Sequence, residues 1–102
     1  MSRPFAIQYT IEAEDDLDKI WGDLAEARGA QFSKTYLQRL RLRIGSLARQ
    51  PRRYRVKPRL GKGRRLMPEK PYHIIYRVDL DCVVIVRVLH GRRRITRQSI
   101  ES

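Results

Sequence analysis

The chain has 102 residues, 41% of them hydrophobic, and carries 23 Lys and Arg against 11 Asp and Glu, a formal net charge of +12 at pH 7. That length supports one domain, residues 1–102, with one core and excludes a second. The composition excludes a disordered chain, and no apolar run approaches the roughly 20 residues that cross a bilayer. The opening MSRPFAIQYT lacks the apolar centre of a signal peptide, and Cys82, the single cysteine, allows no internal disulfide. A cytoplasmic protein is therefore expected, with a surface drawn to nucleic acid, to an acidic protein or to another anionic surface.

In chain order, Phe5 to Tyr9 alternates apolar residues at Phe5, Ile7 and Tyr9 and predicts a first strand. Thr10 can cap a following helix, with Glu12, Glu14, Asp15 and Asp16 complementing its positive end. Ala13, Leu17, Ile20, Trp21, Leu24 and Ala25 recur at helical spacing as a buried stripe, and Gly29 stops the run. A second helix is expected from Ala30 to Arg49, buried along Phe32, Tyr36, Leu37, Leu40, Ile44, Leu47 and Ala48 and ended by Pro51. The short link predicts an antiparallel helix hairpin. Acid dominates its first helix; base dominates from Lys34 onward.

Arg52 through Gly63 reads as a basic connector broken by Pro58, Gly61 and Gly63. Arg64–Met67, Tyr72–Val78 and Cys82–Leu89 read as three antiparallel strands, and Arg93–Ile100 as a short terminal helix or tail. The fold class is α+β: an N-terminal strand, a two-helix hairpin, and a three-stranded meander in one small sheet covered by the helices. With Asp79–Asp81 as the hairpin loop, Tyr72, Ile74, Tyr76 and Val78 oppose Val88, Val86, Val84 and Cys82 on the helix-covered face. His73, Ile75, Arg77, Val83, Ile85, Arg87 and Leu89 then form a half-open, cation-bearing face for a partner.

Metal or cofactor chemistry is not expected. His73 and His90 are far apart in sequence, no pair has ligand spacing, and Gly61 and Gly63 do not lead from a strand into a helix as a phosphate loop would. Cys82 suits core filling better than nucleophilic attack, and the acids from Glu12 to Asp18 suit a solvated helix start. The cations fall into Arg52–Arg65, the strand pair Arg77 and Arg87, and Arg92–Arg97. Arg77 and Arg87 interrupt apolar strands, which disfavours burial unless an anion or partner meets them. His90, where the last strand ends, fits a turn hydrogen bond better than a general base.

The order of these elements resembles the RelE/ParE superfamily of bacterial type II toxins. The run IIYRVDLDCVVIVRVLHGRRRI is similar to the ParE branch, whose last strand commonly reads RVLHGRR. The resemblance implies a toxin held silent, in a hetero-oligomer, by a cognate antitoxin with a DNA-binding domain and an acidic or amphipathic C-terminal segment. The ParE branch implies growth arrest through binding of DNA gyrase, with no catalysed reaction. The RelE branch implies a ribosome-dependent messenger RNA endonuclease, the alternative kept open here.

Within the resemblance, Arg93 matches the arginine that follows the last strand of the RelE-like nucleases, and His73 stands where they carry an arginine. Their terminal tyrosine falls at Ser99, and no carboxylate lies within the last two strands. A nuclease would rely on Arg93, His73, His90 and Arg87. A binding toxin would use Arg77, Arg87, His90, Arg92, Arg93 and Arg94 toward its target. The antitoxin is expected to meet Trp21, Tyr36, Leu37, Ile75 and Ile85.

Overall fold

Strand β1 (Ala6–Tyr9) turns at Thr10 into helix α1 (Ile11–Arg28). The computed structural model describes residues 3–92. The Thr10 hydroxyl accepts the Ala13 N–H at 3.0 Å, which satisfies one of the free amides of the helix start. Gly29 separates α1 from helix α2 (Ala30–Gly45) at φ 94°, a backbone conformation that residues with a side chain rarely adopt. Ser33, fully buried, donates its hydroxyl to the Trp21 carbonyl at 2.7 Å and lets the two helices approach closely. The α-helix ends at Gly45 and tightens into a 3₁₀ turn over Ser46–Ala48, instead of running to Arg49.

After the connector, which includes a 3₁₀ turn at Pro58–Leu60, come β2 (Arg64–Glu69), β3 (Tyr72–Val78) and β4 (Cys82–His90). The sheet order is β1-β4-β3-β2, antiparallel except that β1 runs parallel to β4. Pro68 extends β2 two residues past Met67 because β2 is an edge strand and can omit an N–H. The helices cover one face. Ala13, Leu17 and Ile20 from α1 and Leu37, Leu40 and Ile44 from α2 pack on Tyr72, Ile74, Tyr76, Val83, Ile85 and Val88. The expectation of an α+β domain with a single small sheet beneath a helix hairpin holds.

The pairing within β3–β4 differs from the expected one. Tyr76 faces Ile85 and Val78 faces Val83, while Ile75 faces Arg87 and Ile74 faces Val88, so Val86 is an extra residue in a bulge. Since side chains alternate along a strand, Val83 and Ile85, not Val84 and Cys82, lie under the helices. Val86 points the other way and joins Leu60, Leu66 and Ile75 in a second small core. Leu60, carried over the sheet by the connector turn, is fully buried. The far face is therefore partly roofed by the chain itself and is less open than expected.

The bulge has a cause in β1, which stops pairing at Tyr9–Ile85. Beyond that point α1 takes over the exposed edge of β4. The Thr10 hydroxyl donates to the Val86 carbonyl at 2.8 Å, and the Val88 N–H donates to Asp16 Oδ2 at 2.9 Å. Arg87, beside the bulge, reaches α1 along this edge. There its guanidinium donates twice to Asp16, at 2.7 and 2.9 Å, with the two side chains only 12% and 15% exposed. This paired geometry, led by the Asp16 hydrogen bonds, raises the Arg87 pKa above its ordinary value despite burial.

Candidate functional site

The residues singled out on the strands do not form one cluster. Arg77 lies near the hairpin turn, 3.5 Å from Asp79 and directly opposite Arg64 of β2. His90 lies at the other end, opposite Tyr72, roughly 17 Å away at about 3.3 Å per strand residue. Arg87 is held against α1 by Asp16 and does not belong to the far face. Asp16 itself, grouped by sequence with a solvated acidic helix start, is the carboxylate that anchors the helix to the sheet. Its partner is 71 residues away, and no local spacing announces the pair.

Where β4 ends, the chain leaves the sheet through a tight exit. The Gly91 N–H donates to the Pro71 carbonyl at 2.6 Å, and a side chain at Gly91 would stand 3.0 Å from that oxygen and 3.4 Å from His73 Nε2. The Arg92 N–H donates to His90 Nδ1 at 3.1 Å, the turn hydrogen bond expected of this histidine. Nδ1 is thus the acceptor, and the neutral ring carries its proton on Nε2. His73 and His90 are brought to the same end of the sheet, although their sequence positions gave no hint of it. Arg93 and Arg94, with the expected terminal helix or tail, lie outside the described residues.

His73 Nδ1 is buried without a hydrogen-bond partner among the described residues. Burial first, then the positive charge of Arg59 and the proximity of His90, lower the His73 pKa below its ordinary value. The folded state therefore resists protonation. Stability is present above the free-imidazole pKa and is lost as pH falls through the lowered folded value. Between about pH 7.5 and about pH 5.5, which brackets the free value near 6.5, the melting temperature is expected to fall more for the native chain than for His73→Gln. Equal slopes in thermal melts of the two proteins would refute this.

A second surface lies on the helix hairpin. Arg28 sits 4.2 Å over the Phe32 ring, Phe32 stacks on Tyr36 at 6.2 Å, Tyr36 meets Tyr72 edge-on at 6.2 Å, and Tyr72 meets His90 edge-on at 5.6 Å. This aromatic ladder links α2 to the end of β4. Beside it a groove of about 570 Å³ is lined by Tyr36, Arg39, Leu40, Leu42, Arg43, Glu69 and Lys70. Phe32 is 38% exposed, Trp21 45% and Leu42 76%, which leaves large apolar area in water. Of the residues expected to meet an antitoxin, Trp21 and Tyr36 present surface. Leu37 is buried in the main core, and Ile75 and Ile85 have no exposed area at all: the hairpin register turns Ile85 under the helices, and the connector turn covers Ile75. Phe32 and the groove cations were not among the residues expected there, although Phe32 sits one turn before Tyr36 on the same stripe.

Comparison with known proteins now decides the lineage. Residues 7–95 match the family model of the ParE toxin of the type II toxin–antitoxin system parDE. The chain belongs to the ParE toxin family. It is 32% identical over 89 residues to Toxin ParE3 of Caulobacter vibrioides, an alignment covering 87% of this chain and 89% of that protein. Its fold is similar to a chain of the chromosomal ParDE system of P. aeruginosa, with a TM-score of 0.76 at 20% identity over 87% of this chain and 98% of the other. It is also similar to a chain of the toxin–antitoxin complex RelBE2 of Mycobacterium tuberculosis, with a TM-score of 0.58 at 28% identity over 85% and 98%. The ParE assignment from the last strand is borne out. Among the described residues of this ParE-family toxin, no helix is long and apolar enough to cross a membrane.

Proposed function

We propose that this ParE-family toxin arrests growth by binding DNA gyrase in the cytoplasm and is silenced by a cognate antitoxin laid over its helix hairpin. The observation that carries the gyrase reading is the ParE lineage itself: the family model spans 7–95, and the ParE relative aligns over 87% of the chain. The position of Arg87 supports binding over RNA cleavage. A guanidinium already bonded twice to Asp16 is poorly placed to neutralise a scissile phosphate as well.

Both structural neighbours come from toxin–antitoxin systems, which supports an antitoxin partner for this chain. The aromatic ladder and groove offer the apolar footing, and Arg39, Arg43 and Lys70 around it favour a segment with acidic flanks. The deciding experiment adds purified toxin to a gyrase supercoiling reaction and, in parallel, to an in vitro translation reaction. Lost supercoiling with intact translation is the expected result. Intact supercoiling with codon-specific transcript cuts would replace this reading by the ribosome-dependent nuclease, with His73, His90 and Arg93 as its candidate groups.

A further inference from the structure

We propose that the connector between α2 and β2 is a docking strip for the phosphodiester backbone of duplex DNA. The inference rests on the gyrase reading for its setting, because gyrase works on duplex DNA; its physical argument is local.

No Asp or Glu occurs between Glu26 and Glu69, so the connector cations have no acidic neighbour in sequence. Nor do Arg53, Arg55 and Lys57 find one in space among the described residues. The ion pairs among the described residues engage Lys19, Arg41, Arg43, Arg77 and Arg87, and leave Arg53, Arg55 and Lys57 without a carboxylate. These three line an open groove of about 490 Å³ together with Tyr54, Leu66 and Pro68.

A basic loop in free solution would be a solvated charge, but this backbone is fixed along the edge of β2. Val56 bridges to Arg65, and the Lys57 N–H donates to the Arg64 carbonyl at 2.7 Å. Arg65 Nη1 donates to the Tyr54 carbonyl at 2.7 Å, and the Tyr76 hydroxyl to the Pro51 carbonyl at 2.9 Å. Arg55 and Lys57 flank the bridge residue at alternate positions, so the anchored backbone presents both on one side. Less chain entropy is then lost when an anion binds.

The groove also separates duplex from single strand. Binding of unpaired bases needs a free aromatic face. Tyr54 is half-buried against the main core, and the Arg53 guanidinium lies over its ring, 5.5 Å from the centroid, so that face is already engaged. What remains is a row of cations suited to phosphates.

Fluorescence anisotropy of a short labelled mixed-sequence duplex with purified toxin tests the strip. The native chain is expected to bind with affinity that falls steeply with salt. Arg53→Ala/Arg55→Ala/Lys57→Ala should lose more than about tenfold in affinity and about 2.7 in log–log salt slope, at about 0.9 per phosphate contact. Lys19→Ala/Lys34→Ala/Arg41→Ala, which removes the same charge from the helices, should retain most of the binding. Circular dichroism melts confirm that both variants fold. Equal losses in both variants, no duplex binding by the native chain, or single strands bound as tightly as duplex would overturn the strip. So would loss of antitoxin affinity with duplex binding unchanged, which would reassign the groove to an acidic protein. Supercoiling assays separate the two readings: duplex binding without gyrase inhibition sinks the gyrase reading and leaves the strip. Inhibition without duplex binding does the reverse.

Discussion

Replacing Asp16 by alanine is expected to lower the melting temperature by about 10–20 °C. The variant strands the Arg87 guanidinium, only 12% exposed, without its carboxylate. Removing one partner of a buried ion pair costs about 3 kcal/mol or more, and each kcal/mol shifts a domain of this size by about 4–8 °C. It also leaves the Val88 N–H at the edge of β4 without its acceptor. Asp16→Asn, which keeps an acceptor oxygen and removes the charge, should fall between the native chain and alanine. Asp16→Ala/Arg87→Met should be more stable than Asp16→Ala alone, since the double variant strands no charge. Thermal and urea unfolding of the four proteins checks this. If Asp16→Ala stays within about 0.5 kcal/mol of the native chain, in the range of ordinary surface substitutions, the clamp is not what fixes α1 to the sheet.

That clamp also marks the boundary of what the sequence made legible. Elements with strong local signals were readable: Thr10 before an acidic helix turn, Gly29 at the hairpin, and the β-branched run of β4. The motif at the end of β4 carried the family. What local pattern cannot encode is a partner 71 residues away, or one extra residue in a strand. Val86 bulges because β1 ends opposite Ile85 and α1 must complete the edge, a tertiary demand that the run CVVIVRV does not announce. A separate slip, a hairpin loop one residue longer than expected so that Val78 faces Val83, exchanged Val83 and Ile85 for Val84 and Cys82 under the helices and buried Ile85 in the main core. The expected sites suffered for the same reason. Apolar strand residues looked available for docking because the connector turn that roofs Ile75 and Val86 has no apolar periodicity of its own. The surface that is available, Phe32 and Tyr36 with the groove beside them, follows from the helix stripe being wider than the core that covers it.

Tyr36→Ala is expected to weaken the antitoxin complex by about 30-fold or more, the loss typical of a buried aromatic anchor at an interface centre. Tyr36 joins the groove to the ladder, stacked on Phe32 and edge-on to Tyr72, so its loss removes contact area and loosens its neighbours together. Phe32→Ala, at the exposed end of the ladder, should show a similar loss with less disturbance of the fold, and Trp21→Ala tests whether the footprint extends onto α1. The rim should behave differently. Arg39→Ala and Arg43→Ala are expected to slow association and reduce its salt dependence, because charges at an interface edge steer encounter more than they hold the complex. Arg43 should show the smaller effect, since Glu69 already pairs with it at 3.2 Å. Leu80, 98% exposed at the opposite end of the sheet, provides the control: Leu80→Ser removes an equally apolar side chain where no antitoxin contact is expected. Surface plasmon resonance with immobilised antitoxin yields both rates for each variant. Faster dissociation for Tyr36→Ala and Phe32→Ala, slower association for Arg39→Ala, and native kinetics for Leu80→Ser would place the antitoxin on the hairpin. Native dissociation for both ladder variants, with Leu80→Ser impaired, would move it to the far end of the sheet. The aromatic ladder would then be left with a purely structural role, tying α2 to the exit of β4.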